Sequence, residues 1–171
     1  MKKLIPYSLV FALLAAAPVF AADKAKKEEK PSNVTVSFKD ADKFTDVRST
    51  YGFDTDKGYL EILSAHLQKV AGKLLPAGQK LEVTFTDIDL AGEFLPANRN
   101  LDQIRIIKDI FRPRMTLTFK VTDAAGAVVK EGDRTLMDLD FMNNLGIVGR
   151  SEPLFYDKAL LSDWATREFK N

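Results

Sequence analysis

The sequence predicts an α+β domain: a two-layer sandwich in which a mostly antiparallel sheet of about five strands carries two amphipathic helices on one face. Three observations predict it. Period-two alternation of apolar and polar residues recurs in several short stretches bounded by turn signals. Two longer stretches carry apolar residues at spacings of three and four, as a half-buried helix does. Tight turns between consecutive strands favour antiparallel pairing, and two amphipathic helices suffice to cover one face. The element order reads β-α-β-β-β-β-α.

The first 21 residues stand apart from that domain. Lys2 and Lys3 form a positive n-region, Leu9 to Phe20 is apolar except for Pro18, and Val19-Phe20-Ala21 followed by Ala22 is a small-residue cleavage pattern. The run holds about a dozen residues against the ~20 a spanning helix needs. The expectation is therefore a signal peptide cleaved after Ala21, no transmembrane segment, and a soluble mature chain exported to the periplasm. Residues 22–32 are charged and end in Pro31-Ser32, as a flexible tether does. Residues 33–171 then form a single domain.

The elements follow in order. Val34, Val36 and Phe38 alternate with Thr35 and Ser37 in the first strand. Leu60, Leu63, Leu67, Val70 and Leu74 make one stripe of a helix from about Asp56 to Leu75, with Asp54, Thr55 or Asp56 to cap it and Pro76 and Gly78 to end it. A second strand spans Leu81 to Leu90. Its apolar phase switches after Phe85, which predicts a bulge near Thr86-Asp87. Residues 101–112 fit a strand or a helical stripe, and four isoleucines with Pro113 favour the strand. Met115 to Thr122 alternates cleanly, and Asp123-Ala124-Ala125-Gly126 turns it into a strand from about Val128 to Asp140. Pro153 opens a last helix carrying Leu154, Leu160, Leu161, Trp164 and Phe169.

Composition narrows the function. Without Lys2 and Lys3 the chain carries one more acid than base, so no global field selects nucleic acid or an anionic membrane. Cysteine is absent, which removes disulfides, thiolate metal sites, cysteine nucleophiles and lipid attachment at the leader. His66 is the only histidine and flanks the first helix's apolar stripe, so it reads as a partly buried packing residue. No serine sits in a Gly-x-Ser-x-Gly elbow, and no phosphate-binding glycine pattern occurs. Asp54 to Gly58 misses the glycine and glutamate positions of a calcium loop and reads as helix capping.

Two constellations remain. Asp87 with Asp89, and Asp138 with Asp140, each place two carboxylates on one strand face. Were all four to converge, they would suit a Ca²⁺ or Mg²⁺ ion or an acid and base pair. Otherwise they cap loops or face solvent, so no metal site or cofactor is assigned. Arg99, Arg105, Lys108, Arg112 and Arg114 concentrate basic charge within sixteen residues. Around Gly92 the chain can bend sharply, with Asp87, Asp89 and Glu93 bonding loop amides and Arg99 and Arg105 as the nearest partners in an ion-paired cluster.

Four segments together, VTVSFKDADKFTDVR (34–48), LLPAGQKLEVTFTDIDLAGEF (74–94), IRIIKD with PRMTLTF (104–119) and PLFYDKALLSDWATREF (153–169), resemble the bacterial exported domain family of unknown function numbered 3016 (DUF3016). The resemblance spans the mature chain and implies a single secreted domain with no assigned reaction, so it transfers no catalytic residues. The favoured expectation is a non-enzymatic periplasmic binding or accessory domain. It would hold another envelope protein or a small ligand at a sheet edge or in the groove between helices and sheet. Its rivals are a carboxylate-based hydrolase or Ca²⁺-dependent protein built on the Asp pairs, and a small apolar-ligand carrier.

Overall fold

In the computed structural model, which describes residues 32–48, 55–94, 105–143 and 152–170, four strands form one sheet. They are β1 (Val34–Phe38), β2 (Lys80–Asp89), β5 (Arg114–Thr122) and β6 (Val128–Met137), in the order β1-β2-β5-β6. A separate two-stranded ladder pairs β3 (Glu93–Phe94) with β4 (Arg105–Ile106). Helices α1 (Lys57–Leu74) and α2 (Phe155–Phe169) complete the fold, with short 3-10 turns at Ala41–Lys43 and Phe141–Asn143. The leader, residues 22–31, Arg99 and the 144–151 segment lie outside the described residues.

The parallel pair β1 and β2 needs a long crossover, and α1 supplies it. Asp56 caps α1 by accepting the Tyr59 amide at 3.2 Å, and the turn at Gly78, with φ +84°, follows its end. All other strand pairs are antiparallel. The hairpin between β5 and β6 is closed by Asp123, whose Oδ1 accepts the amides of Ala125 and Ala127, both at 2.9 Å.

Register puts Leu81, Val83 and Phe85 of β2 and Met115, Leu117, Phe119 and Val121 of β5 on the helix side. There they meet Leu63 and Leu67 of α1 and Leu161 and Trp164 of α2. Each large apolar side chain buried this way contributes on the order of 1.5–3 kcal/mol. Side chains, among them Leu63, Leu67, Phe85 and Leu161 at 0 % exposure, occupy the space between helices and sheet where a carrier would need a cavity. The opposite sheet face carries Thr35, Ser37, Thr84, Thr116, Thr118 and Lys120 and is open among the described residues.

Three features differ from the sequence expectation or refine it. The register of β2 against β5 skips between Phe85 and Asp87, so Thr86 is the extra residue of the expected bulge. Residues 101–112 are not one long strand: only Arg105–Ile106 pairs, and the chain turns at 108–111, where the Phe111 amide meets the Lys108 carbonyl at 3.0 Å. The expected five-strand sheet is thus four strands plus a ladder. Strand β6 likewise stops at Met137, leaving Asp138 and Asp140 in the turn beyond it.

Candidate functional site

A group of charged side chains gathers at the end of β2, among them Asp46, Arg48, Asp87, Glu93, Arg105 and Arg114. Beyond the bulge, Ile88 and Leu90 stay in the core while Asp87 and Asp89 point to the open face. Alongside this half of β2 runs the 44–48 segment. Asp46 donates its amide to the Ile88 carbonyl at 3.0 Å and accepts the Leu90 amide on its own carbonyl at 3.2 Å, prolonging the sheet past the end of β1.

Asp46 is thereby buried, and a carboxylate out of water needs counter-charge. Arg105 supplies it through Nη1, 2.8 Å from Asp46 Oδ2, and Arg48 Nε adds a contact to Oδ1 at 3.4 Å. The same Arg105 Nη1 donates to the Gly92 carbonyl at 2.8 Å, and its guanidinium lies 4.6 Å from the centre of the Phe94 ring. Its Nε and Nη2 are buried without a partner among the described residues. Arg48 Nη2 also reaches Glu93 Oε1 at 3.2 Å, and that oxygen accepts the Phe94 amide.

Gly92 makes this arrangement possible. It has φ +84°, and a Cβ there would sit 2.6 Å from Ile107 Cδ1 and 2.8 Å from the Ile106 carbonyl. The bend is held from the other side by Asp157 in the first turn of α2, fully buried, whose Oδ1 accepts the Ala91 amide at 3.0 Å. Burial pushes the Asp157 carboxyl up to about 6 against the pull of that bond and of Arg105.

Asp87 is occupied too: it accepts the Thr45 amide and hydroxyl at 2.8 and 3.0 Å and pairs with Arg114 at 3.5 Å. Asp89 pairs through its backbone with Arg114 in the sheet, but its carboxylate makes no hydrogen bond or ion pair with a described residue. Burial raises its carboxyl above the usual range, with Asp46, Asp87 and Glu93 adding to the rise and Arg114 opposing it. Asp89 lines a cleft of about 340 Å³ on the open face, bounded also by Glu93, Ile110, Arg112, Arg114 and Met137.

The structure therefore gathers Asp87, Asp89, Glu93 and Arg105, and it keeps Asp138 and Asp140 apart from them. Strand β5 lies between β2 and β6. Asp138 accepts the Asp140 amide at 2.9 Å, Asp140 accepts from the Asn143 side chain, and no three described acids or histidines group as metal ligands. The four-carboxylate constellation is not assembled. His66 Nε2 lies 2.7 Å from Ser162 Oγ, whose own proton goes to the Lys158 carbonyl at 2.9 Å. The ring therefore donates to the hydroxyl, tying α1 to α2. Burial lowers the His66 pKa, and Lys158 lowers it further.

Sequence reasoning missed Asp46, Arg48 and Asp157. Asp46 gave no signal until its pairing with β2 was known. Asp157 did: it stands three and four residues before Leu160 and Leu161, a charge on the apolar stripe of a helix.

Fold and site together define a two-layer α+β domain with an ion-paired, charge-lined cleft at one end of its open sheet face. The family model described as "Protein of unknown function (DUF3016)" matches residues 32–167, and the chain belongs to that family. No curated protein matches it. Among solved structures it is similar to the PelC dodecamer from Paraburkholderia phytofirmans, at 12 % identity in each of two crystal forms. A variant form covers 82 % of this chain and 88 % of that one at a TM-score of 0.41, and the other form 81 % and 88 % at 0.37. Both likenesses are too loose to bear on function.

Proposed function

We propose that the chain is an exported, periplasmic, non-enzymatic binding or accessory domain of the cell envelope that engages its ligand or partner at the cleft beside Asp89. The observation that carries this is the exposure of Ile110 and Met137, 67 % and 47 %, both in the lining of a cleft that also holds a half-buried, unpaired carboxylate. Leu139, two residues beyond Met137, is equally bare at 67 %. Large apolar side chains left in water beside convergent polar groups are what a recognition surface presents. The export signal read from residues 1–21 supports the compartment.

Site-specific photocrosslinking in the cell tests it. A photoreactive residue replacing Leu139 is expected to give a discrete adduct that Ile110→Glu suppresses, while the same group at Lys73 on α1 gives none. Equal labelling from both positions would contradict the reading.

A further inference from the structure

The charges in and beside the cleft are mostly matched. Asp46 is neutralised by Arg105 and Arg48, Glu93 by Arg48, and Asp87 by Arg114. Asp89 is left over, half-buried in a cleft whose lining it shares with Asp46, Glu93 and Arg114. Three acids, Asp46, Asp87 and Glu93, act on it against the one cation Arg114, so its surroundings favour an incoming cation. Arg112 is the complementary remainder. Its Nε donates to the Asp109 carbonyl at 3.2 Å within its own turn, and no carboxylate of a described residue pairs with it. Asp89 and Arg112 line the same cleft and do not pair with each other.

Resting on the cleft as the recognition surface, we infer that it takes a small zwitterion with an apolar side group, an aliphatic amino acid or dipeptide, held by its ammonium on Asp89 and its carboxylate on Arg112. A ligand with one charge would satisfy one residue and leave the other solvated, whereas a zwitterion satisfies both through charge-assisted hydrogen bonds. Ile110, Phe111 and Met137 supply an apolar wall for the side group. A space of about 340 Å³ is at the small end of ligand clefts.

Calorimetric titration of the full chain with L-leucine, L-leucyl-L-leucine, 3-methylbutylamine and 4-methylpentanoate reads the inference directly. At least one of the two zwitterions is expected to bind, and both single-charge analogues about tenfold more weakly or worse, the scale of one lost charge-assisted contact. The tighter of the two zwitterions identifies a free amino acid or a peptide as the source. Asp89→Asn is expected to bring the affinity for the zwitterion down to that of 4-methylpentanoate, and Arg112→Ala to that of 3-methylbutylamine. The amine binding as well as the zwitterion would overturn the inference in favour of a simple cation site. So would no zwitterion binding at millimolar concentration. A positive crosslink from position 139 in that case would leave the recognition surface standing without this ligand class.

Discussion

Arg105 and Asp46, 59 positions apart in the chain, meet through Nη1 and Oδ2 at 2.8 Å with side-chain exposures of 12 % and 3 %. This contact fastens the β3-β4 ladder to the strand-like 44–48 segment and so fixes the walls of the cleft. Removing one partner of a buried pair strands the other charge, at a cost of about 3 kcal/mol. Arg105→Ala is expected to lose about that much in urea unfolding. Arg114→Ala breaks the 3.5 Å contact with Asp87, whose partners are 41 % and 27 % exposed, and is expected to lose less than about 1 kcal/mol. Equal losses would show that the Asp46 contact does not organise this end of the fold.

Gly92 and Gly126 separate backbone strain from steric conflict. Both have φ near +85°, at +84° and +87°, but a Cβ at Gly126 would meet nothing within 4 Å while one at Gly92 would strike Ile107 and the Ile106 carbonyl. Gly126→Ala is expected to cost about 1 kcal/mol, the left-handed penalty alone. Gly92→Ala adds a clash with backbone and is expected to cost at least twice as much, read as the difference in unfolding midpoints at constant m-value.

Asp157 makes stability fall as pH rises. Its carboxyl is raised from 3.8 to about 6, so its contribution is fully present below about pH 3.8 and is lost as pH climbs through about 6. The charged groups acting on it are Arg105, which favours ionisation, and Asp89, which opposes it. Asp157→Asn keeps an acceptor for the Ala91 amide without the charge. The variant is expected to match the parent near pH 4 and to exceed it near pH 8 by on the order of 2–3 kcal/mol. A parent that gains on the variant with rising pH would contradict this placement of the charge.

Glu168 gives the opposite slope. Burial acts to raise its carboxyl, but hydrogen bonds from Arg134 and Lys130 outweigh it and hold the group below its ordinary value. Arg134 binds it with two nitrogens at 2.9 and 3.0 Å, pinning α2 to β6. That contribution is present above the ordinary pKa of 4.5 and disappears as pH falls through the lowered one. Glu168→Gln is expected to cost about 1 kcal/mol near pH 7 and progressively less as pH falls below 4.5, seen as a loss of pH dependence in thermal unfolding.

Much of the architecture was legible because patterning and end signals agreed along the chain. The helix stripe of Leu60, Leu63 and Leu67 became α1, the phase switch after Phe85 became the bulge, and Asp123 to Gly126 became the hairpin turn. Residues 101–112 misled because strand propensity says nothing about where a chain must turn, and the turn at 108–111 is set by its contact with Gly92, whose amide donates to the Phe111 carbonyl at 3.0 Å. Within the cluster, Gly92, Glu93 and Arg105 were visible as a bend with a basic partner. The acid that Arg105 chooses was not, because Asp46 reaches it only through the non-local pairing of 44–48 with β2.

The most direct test of the account is a proton-nitrogen correlation spectrum of the labelled full chain titrated with L-leucine. Shifts concentrated on the amides of Asp89, Gly92, Glu93, Arg112 and Met137, with α1 unmoved, are the predicted result. Shifts centred on α1, or a spectrum unchanged at millimolar ligand, would contradict the assignment of this cleft as a site for small zwitterions.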